Sequence, residues 1–474
     1  MTCSHNIYAS GVSMMNFKFV IPILFFSLQS YAAGSADEAI LEDYIQEGVK
    51  NNLALKQKRF QYEQAVSALD EAKRLFLPSI SVEARYSQAG GGREIEFPVG
   101  DLMNPVYSTL NQLLVAHGDP STPFPQIPNE VIPFLREKEH ETKIRTVLPL
   151  LQPALFYNYS IKNALADVNE AAMESYKNTL VAEIKNAYYK YLQTNQLVKL
   201  FNETTTLLDE NIRVSEVLFD NQMVTKDVVY RAQAEKLDVA QQLSDARKKN
   251  TLALSYFNFL LNRPLQTSIR ISDSVFRNQN PALTTEKAEQ MALQNRQEIV
   301  QLRHAISAAQ GNYNLAKSQF YPGLSLVVDY GYQGEKYSFT EKDDYWMASL
   351  VLSWNLFNGF QDQAKKEQAS LAKQQLQARH HELQNQIRMQ VKDALLTLKV
   401  SREILQSAAE QEKYASESFK IIARKYEQGM ANHLEYLDAR VTMTNAKINK
   451  IIKQYDFMIG VAEFEKTVNS AVHN

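Results

Sequence analysis

The residue types that most often carry chemistry are sparse in this sequence, and their spacing argues against catalysis. His380 and His381 are adjacent. On a helix, neighbours are rotated by about 100°, so the two imidazoles point to different faces, unlike a metal-binding pair at i, i+4. Cys3 is the only cysteine, which leaves no partner for a disulfide and no thiolate cluster for zinc. No phosphate-binding glycine loop, nucleophile elbow or zinc motif occurs. No enzyme activity, cofactor or resident metal is expected. Two carboxylates remain of interest, Glu435 and Asp438, which follow Gly429 and Asn432. Asn432 is a natural helix N-cap, and Glu435 three residues later completes a capping box. Asp438 has no such role, although any helix face carries solvated acids.

The elements that would position these residues come in duplicate. Phe76-Leu77-Pro78-Ser79-Ile80-Ser81-Val82 recurs as Phe320-Tyr321-Pro322-Gly323-Leu324-Ser325-Leu326, and Leu155-Phe156 as Leu356-Phe357. Phe219-Asp220-Asn221-Gln222-Met223 recurs as Tyr426-Glu427-Gln428-Gly429-Met430, and the three matches keep their order. Such an internal repeat governs the fold. The first copy carries about forty extra residues between its strands.

Composition sets the outer bounds. Formal net charge is −2 over 474 residues, so neither a nucleic-acid footprint nor a polybasic membrane patch is expected. Beyond the first ~35 residues no run approaches the ~20 apolar residues of a membrane helix. A membrane β-barrel stays open, because its strands leave only a weak hydropathy trace. The N-terminus reads as a secretory signal: Lys18, then the apolar run Phe19 to Phe26, then small residues at Ala32-Ala33-Gly34-Ser35. Cys3 would be lost with it, and the start is open between Met1, Met14 and Met15.

Four segments alternate with period two, the strand signature. Along Ser79 to Ser87, Ile80, Val82, Ala84 and Tyr86 oppose Ser81, Glu83 and Arg85. Along Glu141 to Leu150, Ile144, Thr146, Leu148 and Leu150 oppose Lys143 and Arg145. Along Gly323 to Gln333, Leu324, Leu326, Val328, Tyr330 and Tyr332 oppose Ser325, Asp329 and Gln333. Along Tyr345 to Asn355, Trp346, Ala348, Leu350, Leu352 and Trp354 oppose Ser349, Ser353 and Asn355. Tyr86, Tyr330, Tyr332, Trp346 and Trp354 lie near strand ends, where aromatic girdles form. A soluble antiparallel sheet with one wet face reads the same way. Four strands cannot close a membrane barrel, which needs about eight, so membrane strands would require several chains to share one.

Long helices are expected from about Leu155 to Leu218 and Gln361 to Arg424, where apolar residues recur every three or four positions. Lengths near 64 residues imply about 96 Å and coiled-coil packing. Return helices are expected from about Thr225 to Leu261 and Asn432 to Val468, and single helices Glu38 to Phe76 and Thr285 to Phe320 before each strand pair. The expected organisation is a signal at 1–34, helix at 35–78, a hairpin at 79–152 with insert 88–140, and a long helical hairpin at 153–263. A linker at 264–284 follows, then helix at 285–320, a hairpin at 321–356, a long helical hairpin at 357–468 and a tail at 469–474. The insert opens with three glycines and offers a short helix from Leu102 to Val115; it is open between a cap on a barrel's outer mouth, a binding element outside the cell and a disordered surface loop.

From about Asp37 to Val468 the chain resembles the TolC-like outer-membrane efflux proteins. The resemblance is carried by Leu77-Pro78-Ser79, Trp354-Asn355-Leu356-Phe357-Asn358-Gly359, Tyr426-Glu427-Gln428-Gly429 with Leu437-Asp438-Ala439-Arg440, and Asn262-Arg263-Pro264-Leu265. It implies a mainly α protein with membrane β-strands. Three protomers would share a twelve-stranded outer-membrane barrel continuous with a periplasmic α-barrel. It also implies a passive exit duct, docked to a periplasmic adaptor and an inner-membrane pump or type I secretion transporter. Three times four strands closes a barrel that one copy cannot.

The same resemblance implies that the hairpin turns form a periplasmic mouth, with Glu435 and Asp438 at its constriction. Repeated around a threefold axis, they would form a negative collar favouring cations. For Glu435 the capping role stands beside the gate role. In the first copy Gln222 replaces Gly429, Val228 replaces Glu435, and Asp227 is one position off. Phe219, Met223, Tyr426 and Met430 read as exposed apolar residues at these turns, fit either for packing the hairpin ends or for docking an adaptor. With membrane strands the insert would be extracellular. The alternative reading is a periplasmic coiled-coil scaffold or adaptor with a soluble sheet.

Overall fold

A computed structural model describes residues 36–118, 123–271 and 283–469; the expected signal segment, most of the expected linker and all but the first residue of the expected tail lie outside them. The elements in chain order are α1 (Ala36–Asn51), α2 (Leu53–Arg74), β1 (Ser79–Gln88), β2 (Glu94–Phe97), α3 (Val99–Ala116), β3 (Glu130–Pro133), β4 (Lys138–Leu151), α4 (Pro153–Asp220) and α5 (Lys226–Leu260). Then follow α6 (Thr285–Asn295), α7 (Gln297–Ser318), β5 (Gly323–Gly334), β6 (Asp344–Ser353), α8 (Gln361–Glu427) and α9 (His433–Val468). At 68 and 67 residues, α4 and α8 are each about 100 Å long.

The helix before each strand pair is not single, as the periodicity suggested, but broken once in each copy. Asn52 takes an extended conformation and caps α2, accepting from Leu55 N at 3.0 Å and donating to Leu260 O at 2.8 Å. Arg296 is the corresponding extended residue between α6 and α7. The breaks let the short helices turn onto the long ones. In the first copy Tyr44, Leu55, Leu180, Ile184, Tyr188 and Phe257 form one buried cluster. In the second, Ile299, Ile387, Val391, Phe457, Val461 and Phe464 form its counterpart. Each such side chain contributes about 1.5–3 kcal/mol on burial.

The four long strands form one antiparallel sheet in the order β1-β4-β5-β6. Register places Val82, Ile144, Tyr330 and Trp346 in one row, all on the apolar face. The adjacent rows belong to the other face: Ser81, Arg145, Asp329 and Met347, then Glu83, Lys143, Gly331 and Tyr345. There Arg145 donates from Nε and Nη2 to both Asp329 oxygens at 2.8 Å, and Lys143 bridges Glu141 at 3.0 Å. One expectation is corrected at the end of β4. A bulge between Pro149 and Leu151 sets Leu151, not Leu150, opposite Leu324, because the extra residue shifts the alternation by one.

Tyr86, Tyr330, Tyr332 and Trp346 lie toward the turn end of the sheet, where Tyr330 pairs with Trp346 and Tyr332 packs edge-on against Phe339. Trp354 lies just past β6 at the helix end, with its Nε1 donating to Phe320 O at 3.2 Å. The aromatics therefore stand at two levels. The insert is ordered where it is described: β2 pairs with β3, and α3 is longer than the expected short helix. No described helix is long and apolar enough to cross a membrane.

Candidate functional site at the hairpin tips

The two long hairpins end in turns of matching construction. At the end of α4, Met223 N donates to Leu218 O at 2.9 Å and Gln222 has φ +59. At the end of α8, Met430 N donates to Lys425 O at 2.7 Å and Gly429 has φ +72. This six-to-one closure with a left-handed residue terminates a helix by satisfying its last carbonyls. Glycine takes that conformation freely; Gln222 takes it against the clash of its Cβ.

The return helices start differently. Asn432 caps α9, its Oδ1 accepting from Glu435 N at 2.9 Å while its Nδ2 donates to Glu435 Oε1 at 3.0 Å. The carboxylate thus engages the cap side chain rather than the cap backbone of a standard capping box. On α5, Asp227 accepts from the Thr225 hydroxyl and lies 3.6 Å from Arg231. The hydroxyl, with smaller help from Arg231, holds the Asp227 carboxyl below its ordinary value.

Glu435 and Asp438 lie three apart on the exposed side of α9, while Tyr436, Ala439 and Arg440 are buried behind them. Phe219, Gln222, Met223, Gly429 and Met430 are exposed at the turns. Tyr426 is not. It turns inward to within 3.2 Å of His433 Nδ1, and its ring lies 4.9 Å from that of Tyr436. The phenol is half-buried between the imidazole and the Tyr436 ring, which corrects the expectation of an exposed Tyr426.

The contact between the hairpins centres on a pairing that the sequence reading did not make. Arg440 on α9 pairs with Glu235 on α5, and burial lowers the guanidinium pKa to about 10. His433 faces Asp227 and Arg231 across the same gap, and burial, reinforced by Arg231, lowers its pKa. Asn211 Nδ2, Glu235 Oε2, His433 Nε2 and Arg440 Nε are buried without a hydrogen-bond partner. Unpaired buried groups cost free energy that water would return. Arg440 was visible within Leu437-Asp438-Ala439-Arg440, on one stripe with Tyr436 and Met443; its helical spacing was the available signal. No cluster of His, Cys, Asp or Glu suited to a metal occurs among the described residues.

The sequence profile of the family described as outer membrane efflux protein matches residues 289–465. The probable efflux pump outer membrane protein TtgC of Pseudomonas putida is 22% identical over 59% of this chain and 58% of its own. Outer membrane protein OprJ of Pseudomonas aeruginosa is 25% identical over 57% of each chain. The chain thus spans under two thirds of the length of the curated relatives it matches. The Campylobacter jejuni CmeC outer membrane channel superposes with a TM-score of 0.74 at 16% identity, covering 91% of this chain and 86% of that one. At that identity the superposition establishes the fold. The family and TtgC are described as outer membrane efflux proteins, and CmeC as an outer membrane channel.

Proposed function

From the premise that this chain is a TolC-like outer membrane efflux protein, we propose that three copies form a passive exit duct. The chain resides in the outer membrane with a helical part in the periplasm. In the proposed trimer the four strands of each protomer complete a twelve-stranded barrel. The long hairpins form a periplasmic α-barrel whose tips meet a periplasmic adaptor and an inner-membrane pump or secretion transporter. Small molecules or secreted proteins leave through the lumen.

One observation carries this reading: the sheet is open at both edges, β1 and β6, with an exposed apolar face bearing Ile80, Val82, Trp346, Leu350 and Leu352. A bilayer accepts that face but not the unpaired backbone groups of two edges. A neighbour's β6 against β1 satisfies both demands. In this trimer the polar face, with Arg145–Asp329 and Lys143–Glu141, lines the lumen, and Tyr86, Tyr330, Tyr332 and Trp346 sit at one interface opposite Trp354 at the other. Glu435 and Asp438 form the acidic collar. Phe219, Gln222, Met223, Gly429 and Met430 are the docking rim, with Tyr426 positioning it from within.

Negative-stain electron microscopy of detergent-extracted protein tests the duct. A hollow threefold cylinder longer than the ~100 Å of α4 is expected. Compact particles without threefold symmetry would overturn the shared barrel.

A further inference from the structure

The insert between β1 and β4 presents a helix turned inside out. On α3, Asn104 and Asn111 face the segment 123–129: Asn104 Nδ2 donates to Ile127 O and its Oδ1 accepts from Ile127 N, both at 2.9 Å. Asn111 makes the same pair of bonds with Phe124, at 2.9 and 2.7 Å. Asn129 closes the near end, its Oδ1 accepting from Asp101 N at 3.1 Å. Gly100 permits the approach, since a Cβ there would lie 2.4 Å from Ile127 O. The polar side of the helix is therefore spent inward. At 100° per residue, Leu102, Val106 and Leu113 lie within about 20° of the direction opposite Asn104. They are 69%, 50% and 52% exposed.

An apolar stripe held outward by fixed polar clasps is an interaction surface rather than a stray hydrophobe. We propose that its occupant is a second copy of this chain: the α3 helices of neighbouring protomers pack stripe to stripe over the outer mouth of the barrel. This rests on the shared-barrel reading. The insert springs from β1, the edge strand where the neighbour's β6 must lie, and α3 begins only eleven residues after Gln88. Charge decides against lipid. Helices that lie on anionic bilayer surfaces carry Lys and Arg on their polar face, whereas Asp101 is the only charged residue from Val99 to Ala116. With a single carboxylate each, copies of α3 approach one another with little repulsion.

The test places one thiol on the stripe. Leu113→Cys, with Cys3→Ser, is treated in outer membranes with a short bismaleimide, and the purified trimer is weighed by mass photometry. A shift of the denatured band from monomer to dimer, together with three-chain particles, supports the proposal. Three-chain particles without that shift overturn it and leave the barrel reading standing. Single-chain particles overturn both. As a second readout, Leu102→Ser/Val106→Ser/Leu113→Ser raises single-channel conductance in planar bilayers; conductance equal to the parent's would sink the lid.

Discussion

Arg440 on α9 and Glu235 on α5 form a buried ion pair that joins the second helical hairpin to the first. Arg440 is only 2% exposed. Removing one partner of such a pair leaves an uncompensated charge in a low-dielectric gap and costs roughly 3–5 kcal/mol. Glu235→Ala should therefore loosen the tip, seen as faster amide exchange across 426–440 with little change near Phe457. Replacing both residues with apolar ones of similar volume, Glu235→Leu/Arg440→Met, should restore protection. Equal exchange in the parent and Glu235→Ala would show that the pair does not hold the hairpins together.

The acidic collar is tested by Glu435→Ala/Asp438→Ala. Helix α9 should persist, because the Asn432 cap bonds to the Glu435 backbone N–H and not to its side chain alone. If the proposed collar forms, cation preference in planar bilayers should weaken, since two carboxylates per protomer are removed from it. Ion selectivity matching the parent's would assign Glu435 to helix capping alone and Asp438 to a solvated face.

His433 should make the tip sensitive to acid. Burial and Arg231 lower its folded pKa below the ordinary 6.5, with only partial opposition from Asp227. The unfolded or opened tip then binds more protons than the closed one below that value. The contribution to stability is fully present above pH 6.5 and is lost as pH falls through the folded pKa. Amide exchange across the tip should accelerate on acidification, and His433→Gln should remove that dependence. A pH profile that the substitution leaves unaltered would exclude the imidazole as its source.

Much of this architecture was legible in the chain. Period-two alternation located the strand from Gly323, and helical spacing located α4 and α8 within a few residues, because both signals follow from which side chains must be buried. Asn52 and Arg296 escaped notice because neither is a Pro or Gly breaker; their extended conformations are imposed by packing onto α4 and α8. The shift at Leu150 escaped because a bulge is a property of paired strands. At the tips, Gly429 was visible as a turn residue, but the pairing of Arg440 with Glu235 joins positions more than two hundred residues apart, and nothing in local spacing reports it. Tyr426 looked exposed for a related reason: its partner, His433, lies beyond the turn.

Gln222 and Gly429 hold the same left-handed position at the ends of α4 and α8. A side chain in that region costs about 1 kcal/mol. Gln222→Gly should be neutral to stabilising by about 0.5–1 kcal/mol, part of the gain being lost to the greater freedom of glycine in the unfolded chain. Gly429→Gln should destabilise by a similar amount. Chemical denaturation of the protein in detergent reads both. A destabilised Gln222→Gly would mean that the Gln222 side chain makes a contact in the assembly worth more than its backbone strain.

The two faces of β6 give opposite answers to the same charge. Leu350 is exposed on the apolar face, in register with Leu326 of β5, whereas Ser349 points to the face that carries Arg145 and Asp329. An arginine on the lipid side of a barrel costs roughly 2–4 kcal/mol near the bilayer midplane. On the lumen side it remains hydrated. Leu350→Arg should sharply reduce the heat-modifiable oligomer recovered from outer membranes, and Ser349→Arg should leave the yield near the parent's while shifting ion selectivity toward anions. If Leu350→Arg assembled as well as the parent, that face would not meet lipid. The open edges of β1 and β6 would then need a partner other than two further copies of this chain.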